Sequence, residues 1–325
     1  MLQTTAIYEP IHERLARVEE RLKDLANNRF PFLSQMLGHV YAPAGKRLRP
    51  AITLLASNFH PHDGVRLGRV EIMATSVELL HIASLIHDDT VDASDFRRGK
   101  ATISSLWGRN AAVLVGDYIL ASSATFVCET ADMGVIRRFS ETGMELSRGE
   151  LQEMVGAFDS GQTFDGYYER IYDKTASLFS TAGESGAILS GAPDQYVRAL
   201  KEYSCQLGIA FQIVDDILDF EGTVAEVGKP VGSDLAHGIL TLPALIAMER
   251  SEKEDPIGKF FQRPQDKKLL AAAVDLVQQP SIIEAAYAIA EERSQKAREA
   301  LMTLPRNPSR DSLEELLGYV VARRR

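Results

Sequence analysis

From Val70 to His87 the chain contains no Gly or Pro, and its apolar residues recur three and four positions apart. That spacing predicts one long helix lying largely inside a protein. The same period predicts helices over Ile11–Ala26, Pro31–Val40, Pro50 to about Ser57, Asn110–Cys128, Asp132–Phe158, Asp165–Ser185, Asp194–Phe220, Leu242–Lys253, Lys267–Gln278, Pro280–Thr303 and Asp311–Arg325. Between Glu221 and Pro243 the chain is rich in Gly and Pro and reads as a loop. No stretch alternates with the period of a strand, and no short repeat recurs. The expected architecture is an all-α bundle.

Composition narrows this picture. With 325 residues, 45% of them hydrophobic, and no clear linker, residues 1–325 are expected to form a single all-helical domain. A net charge of −9 argues against nucleic acid as a partner. Cys128 and Cys205 cannot make a disulfide framework, which suggests a reducing compartment. The N-terminal stretch reads as an amphipathic charged helix and not as a signal peptide. Ala111–Cys128, the longest apolar stretch, is interrupted by Gly116 and Asp117 and falls short of a membrane span. A cytoplasmic protein is expected.

The candidate chemistry lies in two acidic clusters. Asp88, Asp89 and Asp92 follow directly on the Val70–His87 run, and Asp215, Asp216 and Asp219 follow the apolar LGIAFQIV run with the same spacing. One helical turn puts Asp88 and Asp92 on one face about 6 Å apart, where like charges repel unless a cation sits between them. One such cluster would suit a solvated helix face as well as a site. Two of them, each closing a buried helix, point to a site. Carboxylates without Cys or His favour Mg²⁺ or Mn²⁺ over zinc. Because Mg²⁺ takes only one or two protein carboxylates and completes its shell with water and phosphate, the partner is expected to be phosphorylated. Lys46, Arg47 and Arg49 stand at a predicted helix start, where side-chain charge and helix dipole reinforce each other in a diphosphate site.

These two DDxxD motifs, together with Arg97-Arg98-Gly99 and Gly45-Lys46-Arg47-Leu48-Arg49-Pro50, resemble the trans-isoprenyl diphosphate synthases from about Gly45 to Pro243. The resemblance implies a single large helical bundle around a central cavity. It also implies a transfer reaction between isopentenyl diphosphate and an allylic diphosphate, with three Mg²⁺ held by the six aspartates. In that scheme Lys174, Lys229 and Arg97 stabilise the leaving diphosphate, with Thr175 and Gln212 beside them. Gly45, Lys46, Arg49, His81 and Arg98 anchor the second diphosphate, and the released pyrophosphate takes the final proton. Two departures stand out. Ile239 occupies a place where many relatives have lysine, and Gln152 precedes by one residue the glutamine common in the family. Family members are dimers, and the apolar Ala111–Cys128 helix is the candidate contact; a heteromer stays open.

Three rival readings fit less well. A class I terpene cyclase shares one DDxxD but carries an Asn/Asp, Ser/Thr, Glu pattern second, which this chain lacks. A non-catalytic subunit would be expected to have lost aspartates, and all six are present. A di-iron bundle needs a quartet built on two helical Glu-x-x-His pairs and two further glutamates; Glu78-Leu79-Leu80-His81 matches one pair, but the other match, Glu9-Pro10-Ile11-His12, holds a proline, and no such quartet occurs here. Product length is read from the positions before Asp88. Ala83 and Ser84 are small where short-chain family members often carry an aromatic floor, and Leu80, Val77, Ser76 and Met73 supply none. The reading is a medium- or long-chain product, with farnesyl or geranylgeranyl diphosphate as the alternative.

Overall fold

The computed structural model describes residues 7–41, 45–61, 63–97, 99–221, 231–251 and 255–322. Its long central helix runs Gly64–Val91, longer at both ends than the apolar spacing predicts. The Asp63 side chain starts it by accepting from Arg66 N at 2.9 Å. Asp88 and Asp89 therefore lie within the last turn, and Asp92 is the cap residue whose N–H bonds Asp88 O at 2.8 Å. The second cluster falls inside the Asp194–Glu221 helix in the same way.

Five features differ from the sequence expectation. Asp165–Ser185 is not one helix: an α-helix over Phe164–Ile171 passes through a π turn, Tyr172–Ala176, into the Ser177–Ser190 helix. Phe96–Arg97 and Lys100–Ala101 form an antiparallel pair, too short for strand alternation to show in sequence. A short helix, Ser233–Ala236, lies within the stretch that reads as loop, and another, Pro256–Gln262, is capped by Asp255. Pro50 is third in the Leu48–Ala56 helix and not first. The first turn tolerates it there because its N–H would have no intrahelical acceptor.

The chain divides into two compact units. The first comprises the described residues of Met1–Met144 with Leu178–Ser204 and Arg298–Leu316. Its axis is the Gly64–Val91 helix, which buries Val70, Met73, Val77, Leu80, Ala83 and Ile86 against the Arg109–Glu129, Leu48–Ala56 and His12–Asp24 helices. A Cβ on Gly116 would meet His87 Nε2 at 2.3 Å, so glycine leaves room for the His87 ring in its present position against the Arg109–Glu129 helix. Glu71, also buried, is held by Arg17 at 2.7 Å and flanked by Arg14 and Arg21. By length and composition the Gly64–Val91 and Arg109–Glu129 helices could each cross a membrane. The apolar window of the first is 72% buried as core, whereas that of the second is only 33% buried. Val113, Leu114, Tyr118 and Leu120 lie exposed along it.

The second unit comprises Glu145–Ser177, the described residues of Cys205–Ala297, and those of Leu317–Arg325. Ile213, Val214, Ile217 and Phe220 point into a core completed by Leu242, Leu245, Ile257 and Phe260. The end of the Asp194–Glu221 helix is tied down by two side chains: Gln278 Nε2 donates to Phe220 O, and Tyr287 Oη to Glu221 Oε2. The first satisfies a terminal carbonyl that the helix cannot pair internally, and the second fixes the side chain of its last residue.

Candidate active site

In the first unit, Gly45, His81, Asp89 and Arg97 line one pocket of about 120 Å³. Arg97 donates from Nε to Asp89 Oδ1 at 2.7 Å, so the short hairpin brings a cation onto the first aspartate motif. Asp89 is buried while Asp92 is exposed. Arg49 stacks its guanidinium 4.4 Å from the Phe179 ring centre, and Lys46 is exposed. The pocket also includes Arg47, Glu78 and Lys100. Sequence reasoning gives Glu78 and Lys100 no role, since a carboxylate in an apolar helix and a lysine in a turn carry no signature of their own. Arg98 and Lys229, both assigned from the resemblance, lie outside the described residues.

In the second unit a hydrogen-bonded row reaches the second motif. Thr175 Oγ1 donates to Gln212 Oε1 at 2.6 Å, and Gln212 Nε2 donates to Asp216 Oδ1 at 2.8 Å. The Tyr167 hydroxyl donates to Asp216 Oδ2 at 2.7 Å. Asp219 Oδ2 accepts from Asp234 N at 3.1 Å. The π turn explains how Tyr167 and Thr175 reach the same row. Eight residues of ordinary helix would separate them by about 80° around the axis, whereas a turn that absorbs one extra residue brings them within about 20°. Burial pushes the Asp216 carboxyl up to about 7, against the lowering pull of the Tyr167 and Gln212 hydrogen bonds.

Lys174, at the centre of the π turn, is clasped by two carboxylates of the Met133–Gly156 helix. Its Nζ lies 2.8 Å from Glu150 Oε2 and also pairs with Glu153. Burial works to lower the ammonium pKa, but Glu153 and Glu150 outweigh it and raise it above the usual lysine range. Arg148 forks onto buried Asp173 one position away, at 2.5 and 2.6 Å. Between these pairs stands Gly149, where a Cβ would meet Lys174 N at 2.7 Å. Sequence reasoning names neither Glu150 nor Glu153 as a partner, because nothing in linear spacing shows that their helix meets the turn.

Among the described residues, no three His, Cys, Asp or Glu side chains converge as a ready metal cage. The donor set nevertheless fits a hard divalent ion, because each motif offers carboxylate oxygens and no sulfur or imidazole. An ion of that kind draws most of its ligands from water and phosphate, so a convergent protein cage is not required.

An all-α fold in which two long helices end in the same acidic pattern, one beside a basic pocket, defines the isoprenoid synthase class. The family described as polyprenyl synthetase matches residues 30–277, and the chain belongs to that family. It is 38% identical over 324 residues to a prenyl transferase of Synechocystis, covering 99% of both chains. It is 33% identical to the heptaprenyl diphosphate synthase component 2 of Bacillus subtilis, over 98% of this chain and 90% of the relative. Among solved structures, a polyprenyl synthase from Caulobacter crescentus complexed with calcium and isoprenyl diphosphate superimposes with a TM-score of 0.92 at 31% identity. That match covers 99% of this chain and 98% of the other.

Proposed function

We propose that this protein is a trans-prenyltransferase that condenses isopentenyl diphosphate with an allylic diphosphate and yields a medium- or long-chain polyprenyl diphosphate. The observation that carries the reading is the pocket in which Gly45, His81 and Arg97 meet Asp89 of the first aspartate motif. It offers cationic groups to a diphosphate directly beside carboxylates suited to a divalent ion. Asp88, Asp89, Asp92, Asp215, Asp216 and Asp219 are the residues that would hold magnesium, three ions by family resemblance. When bound, the metal neutralises diphosphate charge and stabilises the departing pyrophosphate.

The chain's own groups do the rest. Lys174 supplies a permanent positive charge for the allylic diphosphate, and its clasp by Glu150 and Glu153 fixes where the ammonium lies. Thr175 and Gln212 hold Asp216 in one orientation through their hydrogen-bonded row. Lys46, Arg49 and His81, with Arg98, anchor isopentenyl diphosphate, so that its double bond is oriented toward the allylic carbon. Ala83 and Ser84 are small where an aromatic side chain would stop a growing chain along the Gly64–Val91 helix. A relative bearing the heptaprenyl name supports the same product range.

The same relative is named as one component of a synthase, which keeps a heteromeric assembly as an alternative to the homodimer suggested by the exposed face of the Arg109–Glu129 helix. One experiment addresses both points. Purified protein is incubated with Mg²⁺, isopentenyl diphosphate and an allylic starter, and pyrophosphate release and product length are measured. The expected result is a product longer than twenty carbons. Absence of any condensation by the protein alone, restored by a second chain, assigns it to a heteromer. Arrest at fifteen or twenty carbons overturns the chain-length reading.

A further inference from the structure

Arg47 stands between two residues assigned to diphosphate binding, yet its own side chain is engaged elsewhere. It caps the Leu48–Ala56 helix with φ 50 and ψ 38, a left-handed conformation that a residue with a Cβ rarely adopts. Its Nε donates to Glu19 Oε1 at 2.5 Å and its Nη1 to Glu78 Oε1 at 2.6 Å, while Nη2 lies 3.3 Å from Glu19 Oε2. The side chains of Arg47 and Glu78 are 7% and 6% exposed. Two carboxylates hold this guanidinium and its side chain is nearly buried, so, unlike the partly exposed Lys174, it is not a cation on offer to a diphosphate. The neighbouring backbone is held as well. Tyr8 Oη donates to Lys46 O at 2.6 Å, and Arg47 O accepts from Ala51 N at 3.0 Å to begin the helix. Glu78 lies one turn before His81 on the Gly64–Val91 helix, and Arg47, Glu78 and His81 all line the same pocket.

We infer that Arg47 is a positioning residue. Through Glu19 and Glu78 it locks the Gly45–Arg49 segment to the His81-bearing helix, and so sets the spacing at which Lys46, Arg49 and His81 capture the diphosphate of isopentenyl diphosphate. The inference rests on the function proposed above. It deepens that function by separating the cations of the pocket into ligands and a brace. The planar fork of arginine reaches Glu19 and Glu78, on two different helices, from separate nitrogens in a fixed geometry, whereas a lysine ammonium at this place would offer both carboxylates one point charge on a flexible stem. Removing the brace frees the segment and also leaves Glu19 and Glu78 unbalanced beside an anion site.

The test compares wild type with Arg47→Lys, Glu78→Gln and the neutral triple variant Arg47→Met/Glu19→Gln/Glu78→Gln. For Arg47→Lys the KM for isopentenyl diphosphate is expected to rise about tenfold, while the KM for the allylic diphosphate and kcat stay within about threefold, because a positioning loss falls on one substrate. A purely structural role would lower Tm without that split. Binding is also read without turnover. Trp107 is the single tryptophan, and its ring lies 5.4 Å from that of His39, which lines the pocket. Titrating isopentenyl diphosphate against tryptophan fluorescence should show the same loss of affinity. If Arg47→Lys does not fold, Glu78→Gln carries the test, with a rise of about threefold expected because glutamine still accepts one hydrogen bond. Recovery of wild-type affinity in the triple variant would reduce the network to charge balance and overturn the positioning role, as would unchanged affinity in a folded Arg47→Lys. Wild-type protein that binds isopentenyl diphosphate but condenses nothing overturns the proposed function and leaves the brace to be judged on binding alone. Failure of wild type to bind overturns both.

Discussion

The Tyr167 hydroxyl donates to Asp216 Oδ2 across 2.7 Å, and both side chains are almost completely buried. The bond favours the carboxylate, yet burial prevails and lifts the Asp216 pKa from 3.8 to about 7. A carboxyl raised on folding stabilises the protein below its unfolded pKa, and that contribution is lost as pH rises through the folded value. The metal-free protein should therefore lose stability between pH 3.8 and about 7 on account of this group. Asp216→Asn should flatten that part of the slope in a series of thermal melts. Identical slopes for the two proteins would refute the assignment.

The same shift makes cation binding release a proton. Calorimetric titration with Mg²⁺ in the presence of pyrophosphate, repeated in buffers of different ionisation heat, should show tighter binding as pH rises from about 6 to 8. Tyr167→Phe removes a bond that favours the ionised form, so it should move this dependence to higher pH. A displacement to lower pH would contradict the role given to the hydroxyl.

Asp88→Ala and Asp215→Ala should each lower turnover by about 10² or more, since each removes charge stabilisation that acts on the leaving group. Their far-UV circular dichroism should match wild type, because neither position contributes an apolar contact to the core. Full activity in either variant would withdraw that aspartate from the metal site.

Product length tests the view along the Gly64–Val91 helix. Ala83 is buried, and it precedes Asp88 by about 7.5 Å of helix. Ala83→Phe should shorten the products separated by chain length after dephosphorylation. An unmoved distribution would place the floor of the tunnel on another helix.

Assembly is tested on the exposed face of the Arg109–Glu129 helix. Leu114 is 68% exposed and Val113 43% exposed, and contiguous apolar surface of this kind marks association sites. Light scattering of wild type at micromolar concentration should give a dimer mass, and Leu114→Glu should shift it toward the monomer. A wild-type monomer would remove the claim.

The helices and both aspartate motifs are legible because each rests on short-range spacing: Val70 to His87 announces its buried faces through residues three and four apart. What the spacing does not show is which helix meets which. Glu150 and Glu153 gain meaning only once Gly149 lets their helix touch the backbone at Lys174, and Glu78 only once Arg47 turns onto it. The π turn escapes the sequence for a related reason. Tyr172 to Ala176 has an ordinary helical composition, and the extra residue it absorbs is revealed by hydrogen bonding and not by polarity.

That extra residue works as a phase setting between two helices. Ordinary helix through the same stretch would carry Thr175 about 100° away from its present alignment with Tyr167. Deleting Tyr172 or Asp173 would remove the extra residue and leave seven residues of ordinary helix, which again bring Thr175 within about 20° of Tyr167, so the bonds to Gln212 and Asp216 should both survive. Straightening the turn at its present length is what would break the row that orients the second motif, although every chemically important side chain would still be encoded. At this place in the chain, the way the backbone winds is as much a part of the active site as residue identity.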